Sequence, residues 1–203
     1  MMKRLLTDIH ELLREQVDYR ELLYQMNSST FLRFLETLTG IPHLIPDPHF
    51  VGGGMHQSVR GGRLAIHADF NRHPEWQLDR RLNLLLYLNT DWDETWGGQL
   101  ELWDQRMTAC AKAIAPVFNR MVIFSTTRTA YHGHPHPLAC PEGVSRKSLA
   151  LYYYSNGGPA GEPSKRHSTL YRMRPSDGFV RRYLSPWVPP IAYMAYDKLR
   201  GVR

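Results

Sequence analysis

The chain predicts a mainly β domain, an all-β barrel or sandwich, with helices confined to its N-terminal end. Three observations carry this. Apolar residues recur at helical spacing only in the first 40 residues. From residue 44 the pattern changes to many short β-type runs, each bounded by turn residues. The length, 203 residues, suits one domain with enough chain to bury a core.

The helices come first. Residues 3–17 place Leu5, Leu6, Ile9, Leu12, Leu13 and Val17 on one helical stripe. Asp18, with Glu21 three residues later, resembles a capping box for a second, short helix. Residues 30–38 repeat the stripe with Phe31, Phe34, Leu35 and Leu38, after the capping candidates Asn27 and Ser28. Gly40 and Pro42 end that helix. Strands are expected near 49–51, 55–59, 63–69, 82–88, 98–103, 112–117, 120–125, 129–133 and 146–154. Gly52-Gly53-Gly54, Gly61-Gly62 and Gly97-Gly98 mark turns or close backbone approach. Beyond Gly157-Gly158-Pro159 the tail reads as irregular, with one helix near 191–199. The organisation is then helical support over 1–43, a β core over 44–157, and a basic, aromatic extension over 158–203 packed on that core.

Composition narrows the function classes. No apolar run approaches the roughly 18 residues that span a membrane, and the N-terminus acquires acids too early for a signal peptide. Cys110 and Cys140 form no metal or redox spacing, which fits a reducing cytoplasm. The net charge is +6. Residues 1–158 hold 16 basic and 16 acidic side chains, and residues 159–203 hold nine and three, so the whole excess lies in the tail. Its interleaving with Tyr171, Phe179, Tyr183 and Trp187 suggests packing rather than a nucleic-acid arm, a reading that would rest on charge alone.

The chemistry starts at His67-Ala68-Asp69. Two residues apart on a strand, His67 and Asp69 face the same way. With ten His and ten Asp in the chain, such a pair alone is close to a chance event. His73-Pro74-Glu75 has the same spacing, but a proline inside a strand removes a ladder donor. With His132 the pair would form two imidazoles and a carboxylate on one face of a metal, the arrangement of non-haem Fe(II) oxygenases. The segment 81–89 adds a strand with Arg81, Asn83 and Tyr87 on one face and Leu82, Leu84, Leu86 and Leu88 on the other, which suggests a cavity for something polar. Arg146 opens the last apolar strand, where a guanidinium could pair bidentately with a carboxylate.

These segments resemble the 2-oxoglutarate- and Fe(II)-dependent oxygenases of the prolyl-4-hydroxylase-like superfamily. The resemblance covers roughly residues 44–157. Its pieces fall in family order: His67-Ala68-Asp69, then Leu86-Tyr87-Leu88-Asn89-Thr90-Asp91-Trp92 with Gly97-Gly98, then Phe124-Ser125 leading to His132, and finally Arg146. It implies a double-stranded β-helix, or jelly roll, with the N-terminal helices packed outside it. It implies His67, Asp69 and His132 as iron ligands, with His134 in reserve for the distal one. Arg146 would bind the distal carboxylate of 2-oxoglutarate, with Tyr87 beside it and Asn83 as a weaker candidate. The cofactor would be Fe(II), with 2-oxoglutarate and O2 as co-substrates. Retention of Asp69 favours hydroxylation over halogenation. The expected function is hydroxylation of a C–H bond of a small molecule or amino-acid-like substrate, with release of succinate and CO2. The alternatives are a prolyl or peptidyl hydroxylase and a non-catalytic cupin-like metal- or sugar-binding module. The basic tail favours an anionic group on the substrate. His56, Gln57, Arg60, Trp96 and Arg128 are candidates for the mouth.

Overall fold

The protein was analysed as a computed structural model, which describes residues 19–158, 166–175 and 177. The helix expected over 3–17, the Asp18 cap and the helix near 191–199 lie outside the described residues. Helix α1 spans Tyr19–Met26 and α2 spans Ser29–Thr39. Ser28 caps α2, its hydroxyl accepting from Phe31 N–H at 3.3 Å, and Gly40 closes it in the left-handed region at φ 69°. Asn27, the other capping candidate, instead donates its amide to the Asp47 carbonyl.

Among the described residues ten strands follow: β1 Ile45–Pro46, β2 Gly54–Val59, β3 Leu64–Ala68, β4 Asp79–Tyr87, β5 Leu100–Trp103, β6 Cys110–Ile114, β7 Met121–Ser125, β8 His132–His134, β9 Ser145–Ser155 and β10 Leu170–Tyr171. They form two antiparallel sheets. One runs β1-β9-β4-β7, with β2 also on β9, and the other runs β10-β3-β8-β5-β6. This is a mainly β, double-stranded β-helix core, with the helices on the outer face of the first sheet.

The alternation of β4 and β9 sets that arrangement. Leu82, Leu84 and Leu86, with Leu149, Leu151 and Tyr153, turn outward and form the main apolar cluster with Met26, Leu35 and Leu44. Tyr153 also donates its hydroxyl to the Met26 carbonyl at 2.9 Å, tying the sheet to α1. Inward, Tyr87, Leu100 and Val122 pack with Leu85, Leu102, Ile114 and Phe124, filling one part of the space between the sheets. The remainder of that space holds polar residues.

Several boundaries differ from the sequence reading, each for a physical reason. Residues 49–51 are a turn, not a strand: the Asp47 carboxylate accepts from His49 and Val51 N–H at 2.8 and 2.7 Å and folds the chain back. β3 stops at Ala68, so Asp69 is the first residue beyond it. Residues 127–130 form a turn and delay β8 to His132. In β4 the register slips between Arg80 and Leu82, so Arg80 rather than Arg81 turns toward the site. Arg81 points away and binds Ser155 and Gly157. The rival His73 is buried against Asp47 at 3.7 Å, its Nδ1 accepting from Glu75 and Trp76 N–H. No helix among the described residues is long and apolar enough to cross a membrane.

Candidate active site

The second sheet positions the candidate metal-ligating residues, His67 and His132 on its strands and Asp69 just beyond β3. His67 on β3 and His132 on β8 are directly paired across the two strands, and their rings stand 4.5 Å apart. The His67 Nδ1–H donates to the Ala65 carbonyl at 2.8 Å and the His132 Nδ1–H to the Ala130 carbonyl at 2.9 Å. Carbonyls only accept, so both rings are fixed as the tautomer with a bare Nε2 when neutral. Asp69 completes the group: its Oδ1 lies 3.3 Å from His67 Nε2 and its Oδ2 lies 3.4 Å from His132 Nε2. Ligand atoms of these three residues all fall within 4.8 Å of one another, compatible with one ion. His134 is absent from that group.

The first sheet holds Asp69 from behind. Asn83 donates to Asp69 Oδ2 at 2.6 Å, and Arg80 donates to the same oxygen at 3.1 Å. Arg80 also grips the Asn83 carbonyl oxygen at 2.9 and 2.6 Å, and Thr126 donates to that oxygen as well. The Arg80 guanidinium lies 3.5 Å from the centroid of the Tyr152 ring and 4.5 Å from that of Phe70, and the residue is only 2% exposed. Burial alone would raise the Asp69 carboxyl. Hydrogen bonds that His132 and His67 donate from Nε2 when protonated, with the Arg80 charge, outweigh it and hold the group below the usual carboxylate range. A carboxylate whose ionised form is favoured, with one oxygen engaged by protein donors, suits a metal ligand.

At the other pole stands Arg146, 6% exposed. Its Nε donates to the Gly98 carbonyl at 2.8 Å and its Nη2 to the Tyr87 hydroxyl at 3.2 Å. Burial lowers the Arg146 pKa and raises that of Tyr87, because each loses solvent for its charged form. Among the described residues no carboxylate faces this guanidinium, so an anionic ligand would complete it. Gly98 makes the position possible. At φ 77° it would carry a Cβ only 2.6 Å from Leu138 Cδ2 and 3.0 Å from Arg146 Cδ. Between Arg146 and Tyr152 the same face of β9 carries only Ser148 and Ala150, small side chains that leave room between the poles.

Asn83, expected near the Tyr87 end, therefore sits against Asp69 at the opposite pole. Arg80 was not singled out from the sequence at all. The β4 register slip brings it to the site, and it lies outside the strand expected over 82–88. Of the mouth candidates, His56 is half-buried on β2 opposite Ser148, its Nε2 3.2 Å from the Gly52 carbonyl; burial lowers its pKa, and the Arg146 and Arg80 charges add to this. Gln57 binds Ser145, Arg60 binds the Cys140 carbonyl, Trp96 packs on Trp92, and Arg128 is exposed. β10 lies along β3 with Tyr171 opposite His67, their rings 5.6 Å apart and Tyr171 64% exposed. Tail arginines Arg172 and Arg174 are engaged, by Tyr131 and by Asp177 and His136.

The chain resembles several known proteins. The mouse (Mus musculus) prolyl 3-hydroxylase OGFOD1 is 27% identical over 122 residues, which is 58% of this chain and 22% of that protein. The chain thus spans under a quarter of that relative. A prolyl 4-hydroxylase structure from Phytophthora capsici matches with a TM-score of 0.47 and 21% identity, over 71% of this chain and 45% of that one. One from Pseudomonas putida matches with a TM-score of 0.45 and 18% identity, over 72% and 71%. The model of the 2OG-Fe(II) oxygenase superfamily matches residues 53–154, from the start of β2 through nearly all of β9. That span takes in both poles of the site and half of the chain, and the protein belongs to the 2OG-Fe(II) oxygenase superfamily.

Proposed function

We propose that this oxygenase hydroxylates a residue within a polypeptide, with a prolyl residue as the first candidate. The observation that carries the substrate class is the 122-residue similarity to a mouse prolyl 3-hydroxylase. It moves the reading from a free small molecule to a peptidyl one. An exposed aromatic ring, Tyr171, beside His67 at the mouth supports a substrate that lies across the surface.

His67, Asp69 and His132 are the residues that would hold Fe(II), through the bare Nε2 atoms and an Asp69 oxygen. Arg146 and Tyr87 would take the distal carboxylate of 2-oxoglutarate. When bound, iron, 2-oxoglutarate and O2 supply oxidative decarboxylation to succinate and CO2 coupled to hydroxylation of a C–H bond. The chain's own contribution is positional. Asn83 and Arg80 orient the Asp69 carboxylate, and the Arg80 charge favours its ionised form. The carbonyls of Ala65 and Ala130 set the tautomers of the two imidazoles. Leu100, Val122 and Phe124 keep water from the far side of the inter-sheet space.

The test is incubation of the full chain with Fe(II), 2-oxoglutarate and O2 against a library of proline-containing peptides. The expected result is succinate release matched by a gain of one oxygen on a peptide, abolished in Asp69→Ala. Succinate coupled to oxidation of free amino acids or other small molecules, with every peptide unmodified, would overturn the polypeptide reading.

A further inference from the structure

We propose that His134 binds the distal carboxylate of 2-oxoglutarate together with Arg146 and Tyr87, as a further positioning residue for the co-substrate. The inference rests on the proposed roles of Arg146 and Tyr87.

Four observations lead to it. His134 lies two residues from His132 on the same strand, so both rings face the inter-sheet space. It is only 6% exposed. Its Nδ1 is buried with no hydrogen-bond partner, whereas His67 and His132 both anchor that atom on a backbone carbonyl. Buried side-chain nitrogens nearly always have a partner, so this one implies a group that arrives with a ligand. His73 also has an unbonded nitrogen, but that atom faces the Asp47 carboxylate at 3.7 Å and is accounted for by the fold.

The chemistry of the neighbourhood selects the ligand. Arg146 and His67 lie close enough to His134 for their charges to act on it. An imidazole with its proton on Nδ1 can donate it to a carboxylate oxygen. Arg146 has already committed Nε to Gly98 and one N–H to the Tyr87 hydroxyl. A carboxylate offers about four acceptor positions, more than a partly committed guanidinium and one phenol fill. His134 supplies a donor from the opposite sheet, so the anion would be held from both sheets at once. This differs from iron ligation, in which His134 would replace His132.

The experiment uses the full chain under anaerobic conditions. 2-Oxoglutarate is titrated into Fe(II)-loaded wild type, His134→Leu and His134→Gln, following the visible charge-transfer band of the chelate. Fe(II) affinity is measured separately. His134→Leu is expected to weaken 2-oxoglutarate binding by about tenfold or more while leaving Fe(II) affinity within about twofold, and His134→Gln to recover part of the loss. As a test in the native sequence, 15N-histidine spectra of the Zn(II)-loaded protein are expected to show one Nδ1 become a hydrogen-bond donor on 2-oxoglutarate addition. That signal should be missing in His134→Gln. Unchanged 2-oxoglutarate affinity in His134→Leu, or no Nδ1 change in the wild-type spectrum, overturns the proposal. Loss of Fe(II) binding in His134→Leu with its retention in His132→Ala makes His134 a metal ligand and overturns it as well. Failure of wild type itself to bind 2-oxoglutarate removes the carboxylate site altogether, which separates that failure from one confined to His134.

Discussion

The two faces of β4 and β9 differ more than any two separate elements of the molecule. Outward, Leu82, Leu84, Leu86, Leu149, Leu151 and Tyr153 meet the helices in an apolar cluster. Inward, Asn83, Tyr87, Arg146 and Ser148 are as deeply buried but polar. Equal burial thus accompanies opposite chemistry on alternate residues of the same strands. The outer face gains from desolvation, at roughly 25 cal/mol per Å² of apolar surface. The inner face holds polar and charged groups away from water, a cost that bound metal and co-substrate would offset. One face should therefore govern folding, and the other ligand binding.

Three substitutions could break this contrast. Arg146→Leu should have the largest effect, about 100-fold or more on 2-oxoglutarate affinity, or about 3 kcal/mol. Thermal unfolding of the ligand-free protein should show it at least as stable as wild type, because a desolvated charge has been removed. A drop in Tm as large as that of a core truncation would defeat the idea that this face serves binding. Leu84→Ala should behave in the reverse sense. Denaturant melts are expected to show a loss of about 2–4 kcal/mol, with 2-oxoglutarate affinity per folded molecule unchanged. Asn83→Leu sharpens the contrast with a smaller effect. Fe(II) titration should reveal about tenfold weaker binding, because Asp69 loses its shortest hydrogen bond, with a stability loss of about 1–3 kcal/mol because the buried Arg80 loses its two bonds to the Asn83 oxygen. Unaltered Fe(II) affinity would mean that Arg80 alone holds the carboxylate.

Much of this architecture was legible in the chain, and the exceptions share a cause. Alternation over 82–88 and the run 146–154 located the two central strands, because burial on one face imposes a period of two. The switch from helical to strand spacing near residue 44 located the class boundary. Hidden from such reading were features created by local irregularity. The Arg80 side chain reaches Asp69 only because the register slips between Arg80 and Leu82. A strict period of two assigns that face to Arg81 instead. The turn at 49–51 depends on the Asp47 side chain bonding the backbone, which hydrophobic pattern does not record. β10 is two residues long, too short for any periodicity, yet it sets Tyr171 beside His67. In the candidate site, the chain suggested which residue types meet. Asn83 at the Asp69 pole instead of the Tyr87 pole shows that position along a strand face needed the partner sheet to be known.

Gly98 carries a consequence for how sensitivity maps of this enzyme should read. It offers no functional group, yet any Cβ there would meet Leu138 and the Arg146 side chain. A saturation scan scored on turnover would mark it as strictly as a binding residue, and a search for chemical groups would pass over it. What Gly98 supplies is a volume of empty space, the clearance within which a guanidinium can be aimed.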